Sequence, residues 1–367
     1  MTNMSSKNAS RLQALDVARA LAIWGMVIVN FSLVLIKDFD QAVGVAAGLS
    51  GLLQGRAVAL FIVLAGYGIG MMSARAAAER ETASRNAIRI TLLKRALFLL
   101  IAGLLFVPIW PADILHFYGF YIALSVLCLF ANRKVLLVIA LFLPWLFLGL
   151  IDVWDWPAEW DFDTLSYAGF WTADGFIKHA FFNGFHPVIP WLGFLLFGLA
   201  MSRFDLTITK IRYWAMGGSA AMVLMLLGIS RWSAQKFGAI TDPEMHEFAD
   251  LLVGFSPMPP LPFYMFSAGA SALFVIALLI QMEPYWKQSL LWKFMIPSGQ
   301  LALSLYFAHV LIGLGLPDAF GELGTWSTNA ALVWAVLFCG FGGVGAMVWR
   351  QHFARGPVES LMRRLCG

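Results

Sequence analysis

The chain contains about ten runs of roughly 20 residues in which nearly every side chain is apolar. A helix that crosses a bilayer needs a run of this length, because lipid offers no hydrogen-bond partner to an exposed backbone. Of all residues, 60% are apolar and only 13% are charged, whereas soluble domains carry about 25% charge. These values exclude a water-soluble two-domain protein, a disordered chain and a nucleic-acid-binding module. We therefore predict an all-α fold, a polytopic helical bundle within a membrane.

No linker, low-complexity tract or internal repeat divides the chain. Residues 1–367 are therefore predicted to form a single transmembrane domain, with two long outer loops at about 154–186 and 231–261. Residues 42–55 and 169–186 are expected to be helical approaches to the second and sixth spans. The predicted spans are approximately 17–36, 56–73, 93–110, 113–131, 135–153, 187–203, 212–230, 262–281, 295–316 and 329–349.

Basic residues are sorted to one side of these spans, and this sorting predicts the orientation. Loops that face the cytoplasm carry an excess of Lys and Arg. With both termini in the cytoplasm, most of the 25 Lys and Arg residues lie inside, and most acidic residues lie outside. We predict a multi-pass protein of the inner (plasma) membrane. The basic residues left on the outer side are Lys37, Arg56, Lys178, Arg231 and Lys236.

Histidines supply the candidate catalytic groups, because an ionisable side chain at membrane depth is costly and is therefore a functional candidate. His116, His186 and His309 are all predicted in the outer half of the membrane, with Asp113 three residues before His116. A buried histidine can also be a structural residue bonded to a backbone carbonyl. Three histidines at a similar depth in the membrane, with Asp113, Asn183 and Tyr306 nearby, favour a shared polar site.

The other histidines are weaker candidates. His246 and His352 are expected to be solvated, whereas His179 is equally compatible with a site residue and a structural one.

A second polar group marks the cytoplasmic side. Asp16 and Arg19 are three residues apart and face the same way on a helix, so a structural ion pair is one interpretation. Lys94 and Arg95 enter the third span from the cytoplasm, where basic residues suit both phosphate binding and the topology. At the outer end of the second span, Arg56 has Asp38 and Asp40 as candidate partners.

Signatures of soluble enzymes do not occur in the sequence. The chain contains no phosphate loop, no H-E-x-x-H motif and no Cys pair at zinc spacing. The histidines are not spaced as in a metal motif, so no metal is predicted. The aromatic outer loop suits either stacking on sugar rings or anchoring at the interface. The sequence leaves the oligomeric state open, with a homo-oligomer as one option.

Several segments, taken in order, resemble one family. RLQALDVARALAIWGMVIVNF resembles the opening of the YeiB-like and heparan-alpha-glucosaminide N-acetyltransferase-like membrane proteins, with Ala20 where Gly is usual. DILHFYGFYIAL and HPVIPWLGFLLFGLAMSR are similar to their middle segments. SGQLALSLYFAHV through FARGPVESLMRRL looks like the C-terminal part of the YeiB family.

The resemblance implies a transmembrane acyltransferase that takes an acyl group from cytoplasmic acyl-CoA and delivers it to an acceptor, often a sugar, on the far side. In the heparan enzyme a histidine between the first two family spans is thought essential. This sequence has no His between residues 31 and 115, so that role does not carry over.

Acyl transfer needs a base for the acceptor proton and a donor for the oxyanion. We expect His186 or His116 to act as the base, with Asp113 orienting it and His309 lining the site. Asp16, Arg19, Lys94 and Arg95 are expected near acyl-CoA, the donor with acetyl-CoA as its simplest form. The alternative is a proton-coupled transporter or exporter in which the same histidines relay protons. A non-enzymatic scaffold is a third option, which leaves the buried histidines unexplained.

Overall fold

The computed structural model describes residues 12–37, 42–79, 81–161, 165–237 and 249–367. The described chain is almost entirely helical, as predicted, and its only paired strands are the two-residue β1 and β2. The first half comprises α1 (Gln13–Leu35), α2 (Val45–Leu53), α3 (Arg56–Glu79), α4 (Thr82–Phe106), α5 (Leu115–Cys128), α6 (Arg133–Ile151), β1 (Trp160–Asp161), β2 (Ser166–Tyr167) and α7 (Ala173–Lys178). The second half comprises α8 (Val188–Met201), α9 (Thr209–Phe237), α10 (Pro262–Trp286), α11 (Leu290–Gln300), α12 (Ala302–Ala308), α13 (Gly315–Ala319), α14 (Thr328–His352) and α15 (Pro357–Cys366).

In the described chain, seven helical segments are long and apolar enough to cross a membrane, or eight when α7 and α8 with their 49° bend form one span. Two of the predicted spans fall outside this set. α4 carries Arg89, Lys94 and Arg95, which lower its hydropathy. α5 is only 14 residues long, shorter than the roughly 20 residues that cross the hydrocarbon core.

Central and peripheral helices differ in burial. In α10, 67% of the apolar window is buried inside the protein, against 11% in α9 and 22% in α14. The exposed side chains of α9 and α14 include many large apolar residues. Apolar side chains that face outward along whole helices are typical of a surface in contact with lipid. α1, α3, α8 and α10 form the core to which the other helices pack.

Close approach of α3 and α8 depends on glycine. A Cβ atom on Gly66 would lie 1.9 Å from the Leu195 carbonyl oxygen, and one on Gly198 would lie 2.0 Å from that of Val63. Neither distance is compatible with a side chain, so the two backbones pack in direct contact. α8 is thereby held against the middle of α3, with its N-terminal end beside the histidines described below.

Two π-helical turns interrupt the regular helices, and each begins at a histidine. One comprises His179–Asn183 after α7, and the other comprises His309–Leu314 after α12. π-helical turns occur mostly within longer helices and often at functional sites. The predicted helical approach at 169–186 is therefore a short α-helix that continues into a π-helical turn.

Candidate active site

Asp113 and His116 form a buried pair at the start of α5. Asp113 precedes the helix, and its Oδ2 atom accepts a hydrogen bond of 3.0 Å from the backbone N–H of His116, in the manner of a helix cap. The same oxygen lies 2.9 Å from Nδ1 of the His116 ring. Both side chains are 0% exposed. The local cap therefore also aims the carboxylate at the imidazole.

Tyr306 from α12 completes a chain of hydrogen bonds. Its hydroxyl donates to Asp113 Oδ1 at 2.9 Å and accepts from the backbone N–H of Ile114 at 3.2 Å. A carboxylate accepts, so the proton of a neutral His116 resides on Nδ1 and leaves Nε2 as an acceptor. In the part of the chain that the structure describes, Nε2 is buried without a partner. An imidazole held in this way can accept a proton at Nε2.

Gly103 of α4 makes room for this pair. A Cβ atom at position 103 would lie 2.2 Å from the backbone nitrogen of His116 and 2.6 Å from Asp113 Oδ2. α4 and α5 pack extensively against each other. A larger residue at position 103 would push α5 away and disturb the Asp113–His116 contact.

His309 is close to the pair but is fully hydrogen-bonded. Its Nδ1 donates to the backbone carbonyl of Tyr306. That carbonyl only accepts, so Nε2 of a neutral ring is an acceptor and receives the Asn30 Nδ2–H at 3.0 Å. With both nitrogens engaged, His309 supports Tyr306 and Asn30 and has no free lone pair for a substrate proton.

His179 and His186 form a cluster with His116 and Phe117. All three imidazoles surround the Phe117 ring, at centroid distances of 3.9 Å for His116, 5.3 Å for His179 and 5.9 Å for His186. His179 also stacks on His116 at 5.6 Å. From the sequence, His179 was equally compatible with a site residue and a structural one; the structure places it in this cluster, at the start of a π-helical turn.

A cavity of about 410 Å³, here called the histidine-side cavity, lies next to this cluster. Its polar lining includes Asn30, His186 and Tyr306, and much of the rest is apolar. In the described residues His186 Nδ1 is buried without a partner, and its ring packs edge-on against Trp191 at 4.7 Å. The cavity thus has a few hydrogen-bonding groups on an otherwise apolar wall, which is typical of a binding site for a small molecule.

A second cavity, the aromatic cavity, has a volume of about 390 Å³ and opens beside His179. Trp160, Tyr167, Phe170 and Trp171 line it. Trp160 is held by a 2.6 Å hydrogen bond to the carbonyl of Asn183. Burial raises the pKa of Tyr167 to about 12, so its hydroxyl stays protonated and donates to Asn183 Oδ1 at 2.9 Å.

The largest of these cavities, the arginine-lined cavity, has a volume of about 580 Å³. It contacts the N-terminal half of α1 and α3 from Phe61 to Met72, whereas the histidine-side cavity contacts the C-terminal half of α1 and the first turn of α3, at Val58. The two cavities therefore open toward opposite faces of the bundle. Four basic residues, Arg19, Arg95, Arg355 and Arg363, line the arginine-lined cavity among mainly apolar side chains.

The arginine-lined and histidine-side cavities approach each other closely. Three segments line both, and their nearest lining residues are only three or four positions apart: Val58 and Phe61, Ile114 and Tyr118, Leu303 and Tyr306. At 1.5 Å per residue this partition is about 5 Å thick. The Tyr118 hydroxyl closes part of it by donating to the Phe61 carbonyl at 3.5 Å.

The four residues expected near the donor lie in different surroundings. Arg19 and Arg95 line the arginine-lined cavity. Asp16 is buried beside it, where it pairs with Arg19 at 2.7 Å and accepts from Gln300 Nε2 at 3.2 Å. Lys94 is exposed and is not part of the lining, because it points away from the bundle on the other side of α4.

Other polar residues singled out from the sequence lie elsewhere. Asp38, Asp40 and His246 fall outside the described residues, so the expected pairing of Arg56 is untested. His352 is exposed near the end of α14. In the described chain no group of three or more His, Cys, Asp or Glu side chains is arranged to hold a metal ion.

Comparison with known proteins identifies the family. Residues 11–237, more than half of the chain, match the family model of the heparan-alpha-glucosaminide N-acetyltransferase catalytic region. Residues 257–367 match a family described as a protein of unknown function, DUF418. A search of the curated proteins found no match. The chain therefore belongs to the heparan-alpha-glucosaminide N-acetyltransferase-like transmembrane acyltransferase superfamily, with a YeiB-like C-terminal part.

Proposed function

We propose that this protein transfers an acyl group, acetyl in the simplest case, from acyl-CoA on the cytoplasmic side to an extracytoplasmic acceptor such as a sugar. The observation that carries the proposal is the Tyr306–Asp113–His116 chain, with its free Nε2 atom, located close to two cavities that open in opposite directions. An oriented base between a basic cavity and a polar–apolar cavity is what transfer across a bilayer requires.

The proposed topology has ten spans, both termini in the cytoplasm and the inner membrane as location. It takes α4 and α5 as spans in addition to the eight apolar segments. In this orientation the arginine-lined cavity faces the cytoplasm, in agreement with the bias of basic residues to that side.

The donor binds in the arginine-lined cavity. Its phosphates carry charge that lipid excludes, and guanidinium groups such as Arg19 and Arg95 bind phosphate through paired hydrogen bonds. The apolar wall beyond them suits the pantetheine arm. Since the partition at Phe61 and Tyr118 is only about 5 Å thick, a small opening there brings the thioester to the histidine cluster.

His116 is the proposed base. Asp113 holds its Nδ1–H, so Nε2 is directed to accept a proton from the acceptor hydroxyl or amine as that atom attacks the thioester carbonyl. The thiolate of CoA leaves and takes up the proton. Because the His116 ring is wholly enclosed, this assignment requires neighbouring rings such as Phe117 to move as the acceptor enters.

His186 is the second candidate for the base, because it lines the histidine-side cavity directly. No carboxylate within the described chain is hydrogen-bonded to its ring, so it lacks the orienting partner that His116 has. Single variants separate the two candidates: loss of the histidine that acts as the base lowers the rate of transfer without weakening donor binding, whereas loss of the other leaves most of the rate.

The test is transfer from radiolabelled acetyl-CoA to envelope fractions by the purified full chain in lipid nanodiscs. We expect His116→Ala to reduce single-turnover transfer by about 10²–10⁴-fold, with CoA affinity unchanged. His352→Ala, an exposed histidine on the described surface, is the matched control and should retain activity. Unchanged transfer in both the His116→Ala and His186→Ala variants would refute the catalytic assignment.

A proton-coupled transporter remains the alternative function, and one observation favours it. Two cavities that open toward opposite faces and are separated by about one helical turn are also what an alternating-access carrier needs. Counterflow of a substrate in proteoliposomes that contain no CoA would support the carrier. Transfer that depends on acetyl-CoA, with no counterflow, supports the enzyme.

A further inference from the structure

The last helix, α15, is attached to the bundle. It begins at Pro357, after the turn that follows α14, and packs against α4 and α12. No span was predicted for this region from the sequence. Its polar and apolar residues are arranged amphipathically, with Met362 and Arg363 among the residues that line the arginine-lined cavity. α15 thus forms part of the wall of that cavity.

A single carboxylate, that of Glu359, anchors α15. Its Oε1 atom accepts from the backbone N–H groups of Leu303 and Ser304 at 2.9 and 3.0 Å, at the N-terminal end of α12. The hydroxyl of Ser304 donates to Oε2 and accepts from Val358 N–H at 3.2 Å. Unpaired N–H groups at a helix start favour an anion. Glu359 therefore holds α15 next to the helix that carries Tyr306.

This attachment brings two further arginines to the cavity. Arg355, in the turn before α15, and Arg363, within it, line the same space as Arg19 and Arg95. In the described chain neither Arg355 nor Arg363 forms an ion pair through its side chain, and the nearby carboxylate of Glu359 is already engaged. Arg95, Arg355 and Arg363 are like charges around one cavity and repel one another, which an anionic ligand would relieve.

We propose that α15 is part of the donor site, and that Arg355 and Arg363 bind phosphate groups of acyl-CoA. This inference rests on the proposed function and extends it. Acyl-CoA carries a diphosphate and a 3′-phosphate on the nucleotide, so its charged end offers enough acceptors for several guanidinium groups. The two family-matched parts of the chain then share one ligand: residues 11–237 supply Arg19 and Arg95, and residues 257–367 supply the other two.

The test measures CoA affinity by calorimetry on the full chain in phosphatidylcholine nanodiscs. Arg355→Gln and Arg363→Gln should each weaken CoA binding by about tenfold or more, since each removes a charge-assisted contact. Arg364→Gln is the matched control: Arg364 is exposed, neighbours Arg363 on the same helix and does not line the cavity. Its CoA affinity should stay within about twofold of wild type.

A second ligand and a second variant sharpen the test. 4′-Phosphopantetheine has one phosphate and no nucleotide, so its affinity should change far less than that of CoA when Arg355 or Arg363 is replaced. Glu359→Gln should weaken CoA binding as well and speed tryptic cleavage after Arg363, because α15 is then less firmly anchored. Arg363→Lys, which retains the charge, should recover part of the affinity.

The outcomes separate this inference from the proposed function. If wild type binds CoA and transfers acetyl groups while both arginine variants keep wild-type affinity, α15 is not part of the donor site. If wild type binds no CoA, the proposed function itself fails. In a parallel set of nanodiscs that contain phosphatidylglycerol, binding of this lipid, and not of CoA, that depends on Arg355 and Arg363 would mean that the arginines bind a lipid headgroup, and the inference would be overturned.

Discussion

Tyr306 donates a hydrogen bond of 2.9 Å to Asp113, a residue 193 positions earlier in the chain. The first residue lies in the C-terminal matched part and the second in the N-terminal one. Asp113 in turn contacts His116. The candidate base is therefore oriented by both parts, so that neither is expected to build the complete site alone.

Tyr306→Phe removes this contact without changing the shape of the side chain. Asp113 Oδ1 and the backbone N–H of Ile114 then lose a partner inside the protein, which costs about 1–3 kcal/mol. We expect transfer to fall by about 10–100-fold, with CoA affinity unchanged. Tyr213→Phe, on the exposed side of α9, is the control. Wild-type rates in Tyr306→Phe would show that the tyrosine only fills space.

Asp113→Asn tests the orientation of His116. An amide nitrogen facing Nδ1 would favour the other tautomer, with the proton on Nε2, where it cannot accept from a substrate. The comparable substitution in a catalytic triad costs about 10⁴-fold, and we expect a loss of about 10²–10⁴-fold in single-turnover transfer. Asp152→Asn changes an exposed acid at the end of α6 and should be neutral. A loss of less than about threefold in Asp113→Asn would argue against an oriented base.

Gly103→Ala should destabilise the protein, because its Cβ would meet the backbone nitrogen of His116 at 2.2 Å. Backbone atoms do not move aside as a flexible side chain can, and we expect a cost of about 1–3 kcal/mol together with lower transfer. Gly149→Ala is the matched control in α6, where a Cβ meets nothing within 4 Å. It should leave stability unchanged or raise it by up to about 1 kcal/mol. Thermal unfolding in detergent provides the measurement.

Asn30→Ala tests the support that His309 receives. The substitution leaves Nε2 of His309 without its donor, at a cost of about 1–3 kcal/mol for a buried group. Because His309 also bonds to the carbonyl of Tyr306, we expect both the unfolding temperature and the rate of transfer to fall. His309→Ala in the same background should add little further loss if the two act as one unit. Additive losses would contradict this coupling, as measured in a double-mutant cycle.

Much of the helical architecture could be predicted from the sequence, because span length and hydropathy reflect the thickness and chemistry of the bilayer. The expected helical stretch at 42–55 corresponds to α2, and that at 329–349 corresponds to α14. α5 differs: its apolar run at 113–131 suggested a full span, but only the 14 residues Leu115–Cys128 are helical. α15 has no long apolar run, so it was not predicted as a span.

Only part of the candidate site could be predicted from the sequence. Asp113 and His116 are three residues apart, so a local contact could be foreseen. His309 was expected to line the site, and in the structure both of its ring nitrogens are hydrogen-bonded, to Asn30 and to the Tyr306 carbonyl. The position of a histidine in the sequence does not show which groups its ring will contact. His179 and the arginines of the last segment join their cavities only through packing.

The amino-acid sequence by itself determined that this chain is a helical membrane protein whose Lys and Arg residues are concentrated on one side of the predicted spans. Both properties depend on the local composition of each segment. Tertiary structure decided which polar groups meet. Tyr306 reaches Asp113, and Arg363 reaches the cavity of Arg19, through the packing of helices that are distant in the chain. Those distances depend on close contacts such as that of Gly103 with His116, and hydropathy does not encode them.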